Sequence, residues 1–422
     1  MLRWSALALL LAFTLPTELL AANCNVTQTG RVPLTALGAG TYQSYQGGLY
    51  PGGANTRPPA HDAAGLAIGN SIAPLDTFGI ADPDGRIVLI SIGMSNATQE
   101  FSVFVTASNA DGYRDPKVRV IDCALGGQTA NAIKNPAYFY WDTVRTRLRG
   151  RGASPSQVQI AWIKEANAGP TTGFPAATTT LMRDLGSIVR VMKDHFPNLR
   201  IAYLSSRIYA GYASTTLNPE PYAYKSGFAV KWLIEGQIAG EDSVNSDPGQ
   251  GVVEAPWLAW GPYLWSDGLV PRPEDALTWA CADFAADGTH PATTGRAKVA
   301  GLLLDFMHTD DTARPWYVAD AAGVPAVAAV ARPLALSPNP AFDGVDVSFT
   351  TRAGERGRVE VVDLAGRRVR NLGEGPGDGS ALSLRWDGRD GDGAPARPGI
   401  YWVRVEAGGA IAARRLALLG TR

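Results

Sequence analysis

The sequence RIVLISIGMSNATQE at residues 86–100 decides the fold of this chain. Its largely apolar run, from Ile87 to Ile92, is rich in Ile and Val and follows a turn-like Asp-Pro-Asp-Gly, as is typical of a strand buried on both faces. Gly93 permits a sharp turn after that strand, so Ser95 is expected at the carboxyl edge of the sheet, where open α/β sheets bind ligands. Ser95 is then either a candidate nucleophile or only the N-cap of the next helix, since serine is a favoured N-cap.

Strand-like and helix-like segments alternate after this stretch, which favours a parallel sheet covered by helices on both faces. We therefore predict a three-layer α/β domain over residues 86–315, preceded by an irregular lead-in at residues 23–85 that packs on it. Further buried-strand patterns lie at residues 118–125, 158–163 and 200–206, and helical periodicity covers residues 178–196, 228–238 and 297–307.

The remainder of the chain has a different pattern. Residues 316–333 are small, apolar and punctuated by proline, which indicates a linker. Short β-rich runs separated by turn clusters follow, without any helix-length period. We predict a small antiparallel β-sandwich over residues 334–422.

The overall composition excludes some classes of partner. A net charge of −1 leaves no electrostatic footprint for nucleic acid or for an anionic membrane. Residues 1–22 combine Arg3, a short apolar stretch and a small-residue site at Ala21-Ala22, the pattern of a secretory signal peptide. The stretch is too short for a stable transmembrane segment. The expected location is therefore secreted, or the cell surface or periplasm.

Cysteine and histidine usage indicates no metal site, and the acyl-transfer chemistry described below requires no metal or organic cofactor. Cys24, Cys123 and Cys281 allow one bridge in an exported protein, with the pairing left open. The apolar surroundings of Cys123 favour a buried thiol. The four histidines are scattered without the spacing of metal ligands.

Three short segments follow predicted strands, and a fourth precedes the last helix of the domain, so all four can meet at one edge of the sheet. They are residues 93–96, 126–127, 165–167 and 287–291. Acyl transfer needs such a set: His290 would take the proton of Ser95, and Asp287 would hold the imidazole in the right tautomer. The tetrahedral oxyanion needs fixed donors, for which the candidates are the N–H groups of Ser95 and Gly127 and the side-chain amide of Asn167.

These segments resemble those of the SGNH hydrolase superfamily, also called GDSL-type esterases, over residues 86–308. The Gly-x-Ser-Asn opening is most similar to carbohydrate acetylesterases and sialate-acetylesterase-like proteins, whose third block, Gly-Glu-Ser-Asn-Ala, is matched by residues 164–168. The resemblance implies a flavodoxin-like sheet, a Ser95–His290–Asp287 triad and an oxyanion hole completed by Gly127 and Asn167. The sequence departs from the family at Met94, before the nucleophile, and at Lys164, where the family carries Gly.

Other polar residues near these segments are candidates for substrate binding. Two aromatic-rich segments, residues 203–224 and 257–265, could form a sugar-stacking wall or could be core. The candidate substrate-binding residues are Asn96, Gln128, Glu165, Arg207 and Tyr209.

The C-terminal region resembles FlgD-type Ig-like modules and the sorting domains of type IX secretion. The resemblance rests on Leu-Ser-Pro-Asn-Pro at residues 336–340, Val-Val-Asp-Leu-Ala-Gly at 361–366, Trp-Asp-Gly at 386–388 and Pro-Gly-Ile-Tyr at 398–401. It implies secretion or surface attachment, through contact with the cell surface or the secretion machinery, rather than catalysis.

The sequence as a whole predicts a secreted serine esterase that removes a small acyl group, with acetyl on a carbohydrate as the expected substrate. Another small ester is an alternative substrate. A catalytically inactive carbohydrate-binding surface protein is an alternative function, although it would not need an intact triad. A lipid or thioester hydrolase is a third possibility, and it would require a long apolar acyl groove.

Overall fold

The computed structural model describes residues 21–319, 334–339, 341–342, 344–350, 357–363, 367–375, 381–407 and 410–419. The chain divides into two units, the first ending at Ala319 and the second beginning at Asp320. Most of the predicted signal peptide, residues 1–20, and most of the predicted linker, residues 320–333, lie outside the described residues.

The first unit is built on a five-stranded parallel sheet, which confirms the predicted α/β class. The strands lie side by side in the order β2-β1-β3-β4-β5, the flavodoxin-like arrangement. Every position of β1 and β3 is buried, as expected for strands covered on both faces. In chain order, the strands are β1 (Ile87–Gly93), β2 (Val118–Ile121), β3 (Val158–Lys164), β4 (Ile201–Leu204) and β5 (Trp257–Trp260).

Six longer helices surround this sheet. α2 packs against α6, and α4 packs against α5. The helices are α1 (Pro59–Asn70), α2 (Ser95–Ala110), α3 (Phe139–Gly150), α4 (Ala176–His195), α5 (Tyr222–Ile238) and α6 (Thr293–Thr309). Shorter helical turns are Leu34–Leu37, Pro51–Gly53, Ala130–Ile133, Pro155–Gln157, Asp242–Val244, Pro248–Gln250, Cys281–Asp283 and Arg314–Tyr317.

The lead-in is more regular than the sequence indicates. It contains a small hairpin, Thr41–Tyr42 with Tyr45–Gln46, as well as α1. It is also tied covalently to the rest of the unit, because Cys24 forms a disulfide with Cys281, while Cys123 is free and buried.

The second unit consists of two antiparallel sheets, as the all-β prediction requires. Their inward side chains share one apolar core that includes Val347 and Trp386 from one sheet and Val359 and Val403 from the other. The strands are β6 (Ala335–Ser337), β7 (Val345–Thr350), β8 (Gly357–Asp363), β9 (Arg368–Gly375), β10 (Ala381–Trp386), β11 (Gly399–Ala407) and β12 (Ala410–Leu418). No helix in the described part of the chain is long and apolar enough to span a membrane.

Candidate active site

Ser95 lies at the point where the strand order reverses, between the carboxyl ends of β1 and β3. It is the first residue of α2, so its N–H is among those that have no acceptor within the helix. The turn before it requires glycine: a Cβ on Gly93 would lie 2.3 Å from the Lys164 carbonyl oxygen and 2.5 Å from the Ala97 Cβ. This close contact at the ends of β1 and β3 places the Ser95 hydroxyl at the carboxyl edge of the sheet, where such sheets bind ligands.

A continuous hydrogen-bonded chain runs from Ser95 to an acidic loop before α6. Ser95 Oγ lies 2.8 Å from His290 Nε2, and His290 Nδ1 lies 2.5 Å from Asp287 Oδ2. The other carboxylate oxygen, Oδ1, accepts the backbone N–H groups of Thr289 and His290, each at 3.0 Å. With the Nδ1 proton donated to Asp287, Nε2 is free to accept the proton of Ser95.

The loop also keeps Asp287 ionised. Burial alone would raise the pKa of this carboxyl, but hydrogen bonds from the backbone and ring of His290 and from the Thr289 N–H lower the pKa below its usual value. A carboxylate that stays charged both orients the imidazole and stabilises the imidazolium that forms when the ring takes a proton.

Asn96 ties the helix of the nucleophile to this loop. Its side chain is buried and donates to the Thr289 carbonyl at 3.0 Å. The sequence analysis predicts that Asn96 binds substrate, whereas in the structure its amide contacts the loop that carries His290. Asn96 therefore positions the two halves of the triad relative to each other.

The loop that carries Gly127, a proposed oxyanion donor, passes beside Ser95. A Cβ on Gly126 would lie 3.6 Å from the Ser95 Cβ, so the Gly126-Gly127 loop passes close to the nucleophile. Gly127 has φ +78°, a conformation that favours glycine, and a Cβ there would meet open space. The loop is held by hydrogen bonds from Leu125 N–H to the Gly93 carbonyl and from Gln128 N–H to the Leu125 carbonyl, and the Gly127 N–H takes part in neither.

The side-chain amide of Asn167 is fixed at both ends. Its oxygen accepts the Asn131 N–H at 2.8 Å, and its nitrogen donates to Asp184 Oδ2 at 2.8 Å. Because an amide nitrogen carries two hydrogens, the bond to Asp184 leaves a second N–H. The structure thus gathers Ser95, Gly127 and Asn167 around one edge of the sheet, with the amide orientation set by its partners.

The departure at Lys164 has a physical explanation. Lys164 Nζ lies 2.5 Å from both carboxylate oxygens of Glu100 on α2, and the two side chains are only 1% and 0% exposed. Burial raises the pKa of Glu100 and lowers the pKa of Lys164 to about 8, in each case against the pull of the partner's charge. This pair joins the helix of the nucleophile to the strand that leads to Asn167.

The other proposed substrate residues lie in different surroundings. Glu165 and Arg207 are 4% and 5% exposed, and Gln128 is partly buried, with its amide nitrogen donating to the Gly126 carbonyl at 3.3 Å. Tyr209 is fully buried, and its hydroxyl donates to the Val26 carbonyl at 2.7 Å. The structure therefore uses Tyr209 to hold the lead-in, and it does not present this side chain to a substrate.

Most aromatic side chains of the two segments are core and form no cleft wall. Tyr222 is the exception, because it is partly exposed and lines the small cavity beside Asn167. The buried side chains are at most 5% exposed because they pack beneath the carboxyl edge of the sheet or within it. They are Tyr203, Tyr209, Tyr212, Tyr224, Trp257, Trp260, Tyr263 and Trp265.

Three supporting residues escaped the sequence analysis: Glu100, Asp184 and Thr289. Glu100 and Asp184 each lie on a buried face of their helix. An acidic residue on an apolar helix face was the available signal, since such residues are almost never fully buried unless paired. Within the described ranges, no group of three or more His, Cys, Asp and Glu residues could hold a metal ion.

No protein-family model matches the sequence, and a search of curated proteins finds no match. Among solved structures, a Bacteroides fragilis protein described as an acylhydrolase is 12% identical, with 59% of this chain and 97% of that chain covered and a TM-score of 0.32. The periplasmic domain of a Salmonella Paratyphi A lipopolysaccharide acetyltransferase is 11% identical, with 59% and 94% covered and a TM-score of 0.29.

Part of the chain is also similar to two proteins of Porphyromonas gingivalis, PorU and PorZ. PorZ, a surface component of the type-IX secretion system, is 24% identical over 20% of this chain, with a TM-score of 0.16. This chain spans 9% of the length of PorU and 11% of that of PorZ. At these identities and scores, the similarities assign no function to the chain.

Proposed function

We propose that this chain is a secreted serine esterase of the SGNH type that hydrolyses a small acyl ester, acetyl in the first instance, on a carbohydrate. The observation that carries the proposal is the chain of contacts from Ser95 Oγ through His290 to Asp287, at 2.8 and 2.5 Å. An inactive binding protein would have no use for a nucleophile, a base and an orienting acid in hydrogen-bonding order.

The acylation half-reaction follows from these contacts. Ser95 Oγ attacks the ester carbonyl carbon while its proton passes to His290 Nε2, and the carbonyl oxygen becomes an oxyanion. The N–H groups of Ser95 and Gly127 and the remaining N–H of Asn167 are the donors for that oxyanion. Collapse of the intermediate breaks the bond to the sugar oxygen, which leaves as the alcohol with the proton from His290.

Deacylation repeats the sequence with water. His290 takes a proton from a water molecule, whose oxygen attacks the acyl carbon, and the bond to Ser95 Oγ then breaks as His290 returns the proton to it. Acetic acid leaves, and the enzyme is restored. The charged Asp287 stabilises the imidazolium in both halves of the reaction.

We further propose that the protein acts outside the cytoplasm. The bridge between Cys24 and Cys281 supports this, because disulfides persist mainly in oxidising compartments. The resemblance of residues 334–422 to FlgD-type modules favours a surface or secretion role for the second unit.

The test is hydrolysis of 4-nitrophenyl acetate by the mature protein and by Ser95→Ala, each checked for folding by circular dichroism. Loss of the nucleophile should lower kcat by several orders of magnitude. Ser102→Ala is the matched control, because Ser102 is exposed on the same helix and should retain full activity. An inactive wild type, or a Ser95→Ala variant as active as the wild type, would reject the esterase.

A further inference from the structure

The loop that carries Gly127 begins where the backbone pairing of β2 with β1 ends. The last pair in this part of the sheet is Ile121 opposite Ile90. The residues that follow are Asp122 at the start of the loop and Ser91 on β1, and no backbone ladder joins them. A catalytic donor has to be held to within about 0.5 Å of its productive position, so other contacts must fix this loop.

Side-chain hydrogen bonds from Ser91 and Asp122 take the place of the backbone ladder. Ser91 is fully buried, and its Oγ accepts the N–H groups of Cys123 and Ala124 at 3.0 and 3.2 Å. The same Oγ donates its hydrogen to Asp122 Oδ1 at 2.6 Å. A hydroxyl has one hydrogen and two lone pairs, and all three are used here. Because an ionised carboxylate only accepts, Asp122 fixes the Ser91 hydroxyl in the orientation that holds the loop.

The second oxygen of the Asp122 carboxyl contacts the helix of the nucleophile. Thr98 lies three residues after Ser95 on α2, and its hydroxyl donates to Asp122 Oδ2. The carboxyl also accepts the Ala124 N–H at 3.2 Å. Arg147 on α3 adds a further contact, because its guanidinium donates to the Ala124 carbonyl at 2.6 Å. One carboxyl therefore joins β1, α2 and the start of the loop.

We propose that Asp122 is a positioning residue of the esterase, which holds the Gly127 N–H in place relative to Ser95 Oγ. It acts through its hydrogen bonds to Ser91 and Thr98 and takes no part in the chemical steps. Without this carboxyl, the Ser91 hydroxyl is free to rotate and the loop loses its tie to α2. A misplacement of about 1 Å at a reacting centre can cost about 100-fold in rate. This inference rests on the proposed esterase function.

The first test is hydrolysis of 4-nitrophenyl acetate by Asp122→Ala. We expect kcat to fall by about 10- to 100-fold with KM within about 2-fold of the wild type, because a displaced oxyanion donor weakens binding of the transition state alone. Asp122→Asn should remain within about 5-fold of the wild type, because its amide oxygen can accept from Ser91 and its nitrogen can donate to Thr98 Oγ. An unchanged kcat in Asp122→Ala, an effect on KM alone, or an Asp122→Asn variant as slow as Asp122→Ala would overturn the proposal.

The control is Asp115→Ala, at the opposite end of β2. Asp115 is partly buried, as Asp122 is, and its carboxyl accepts the Lys117 N–H at 2.6 Å. In the described part of the chain, this carboxyl contacts no residue of the Gly127 loop. Its loss should lower stability and leave kcat unchanged. A fall in kcat as large as that of Asp122→Ala would overturn the specific role of Asp122.

A boronic acid separates positioning from a smaller fraction of folded enzyme. Phenylboronic acid adds to a serine oxygen and places one of its own oxygens in the oxyanion hole, so it binds as a transition-state analogue. Its inhibition constant should rise in Asp122→Ala by about the same factor by which kcat/KM falls. An inhibition constant equal to that of the wild type would mean that only the amount of active enzyme had changed, and would overturn the proposal.

Thr98→Val repeats the comparison in a variant of nearly unchanged shape. It removes only the bond from α2 to Asp122, so kcat should fall by about 3- to 10-fold and the inhibition constant should rise in parallel. A Thr98→Val variant as active as the wild type would overturn the tie to α2. Each of these outcomes leaves the esterase itself intact, which fails only if the wild type does not hydrolyse the aryl ester through Ser95.

Discussion

The buried pair of Glu100 and Lys164 leads to a prediction in which the two single variants behave in opposite ways. Both side chains are essentially inaccessible, at 0% and 1% exposure, so neither can reach water when its partner is removed. Removing one member of such a pair typically costs about 3–5 kcal/mol of unfolding free energy, because an uncompensated charge stays buried. We expect a loss of this size for both Glu100→Gln and Lys164→Met.

The pH dependence separates the two variants. In Lys164→Met, burial holds the pKa of Glu100 above its unfolded value, so the folded state binds more protons and stability falls as pH rises above about 4.5. In Glu100→Gln, the pKa of Lys164 lies further below its unfolded value than the present value of about 8, because the opposing carboxylate is gone. The unfolded state then binds more protons, so stability rises with pH up to about 10.5. Each slope should approach about 1.4 kcal/mol per pH unit within its window.

The assay is urea unfolding at several pH values, followed by tryptophan fluorescence. Buried Trp141, Trp162 and Trp265 make this signal sensitive to the first unit. The double variant Glu100→Leu with Lys164→Met is the control, because replacing a buried pair by apolar side chains of similar size is often neutral or stabilising. Single variants that lose less than about 1 kcal/mol, or slopes of the same sign, would refute this reasoning.

Two further variants test the proposed oxyanion residues, and a third tests the disulfide of the lead-in. Asn167→Ala should reduce kcat for 4-nitrophenyl acetate by about 10²–10³-fold, the usual effect of losing an oxyanion donor, and an effect on KM alone would contradict that role. Gly127→Ala meets no steric clash but has φ +78°, so we expect about 1–2 kcal/mol of lost stability by thermal unfolding; an unchanged melting temperature would be inconsistent with this backbone. Cys24→Ser with Cys281→Ser should lose about 2–5 kcal/mol because a long cross-link is removed, and stability matching the oxidised wild type would argue against the bridge.

The sequence predicts the centre of the fold well because the relevant signals there are local. The run that ends at Gly93 is apolar except for Ser91, and the structure makes it a strand buried at all seven positions. Asp287 and His290 are three residues apart, so one short loop brings them into contact wherever it lies. Signals of this kind need no knowledge of distant neighbours.

The sequence analysis fails where distant neighbours decide the structure. Residues 59–70 contain Gly65 and Gly69, which suggest a loop, yet they form α1. A Cβ on Gly65 would lie 2.2 Å from the Trp257 ring, and one on Gly69 would lie 2.5 Å from the Thr312 carbonyl oxygen. These glycines allow the helix to pack closely against residues far away in the chain, and that close approach cannot be seen in the local pattern.

The burial of the aromatic segments changes how this site could recognise a sugar. Stacking requires an accessible ring face, and residues such as Tyr209, Tyr212 and Trp265 are at 0% exposure. Stacking on these three rings is therefore excluded, whereas Tyr222 of the same segment is partly exposed and lines the small cavity beside Asn167.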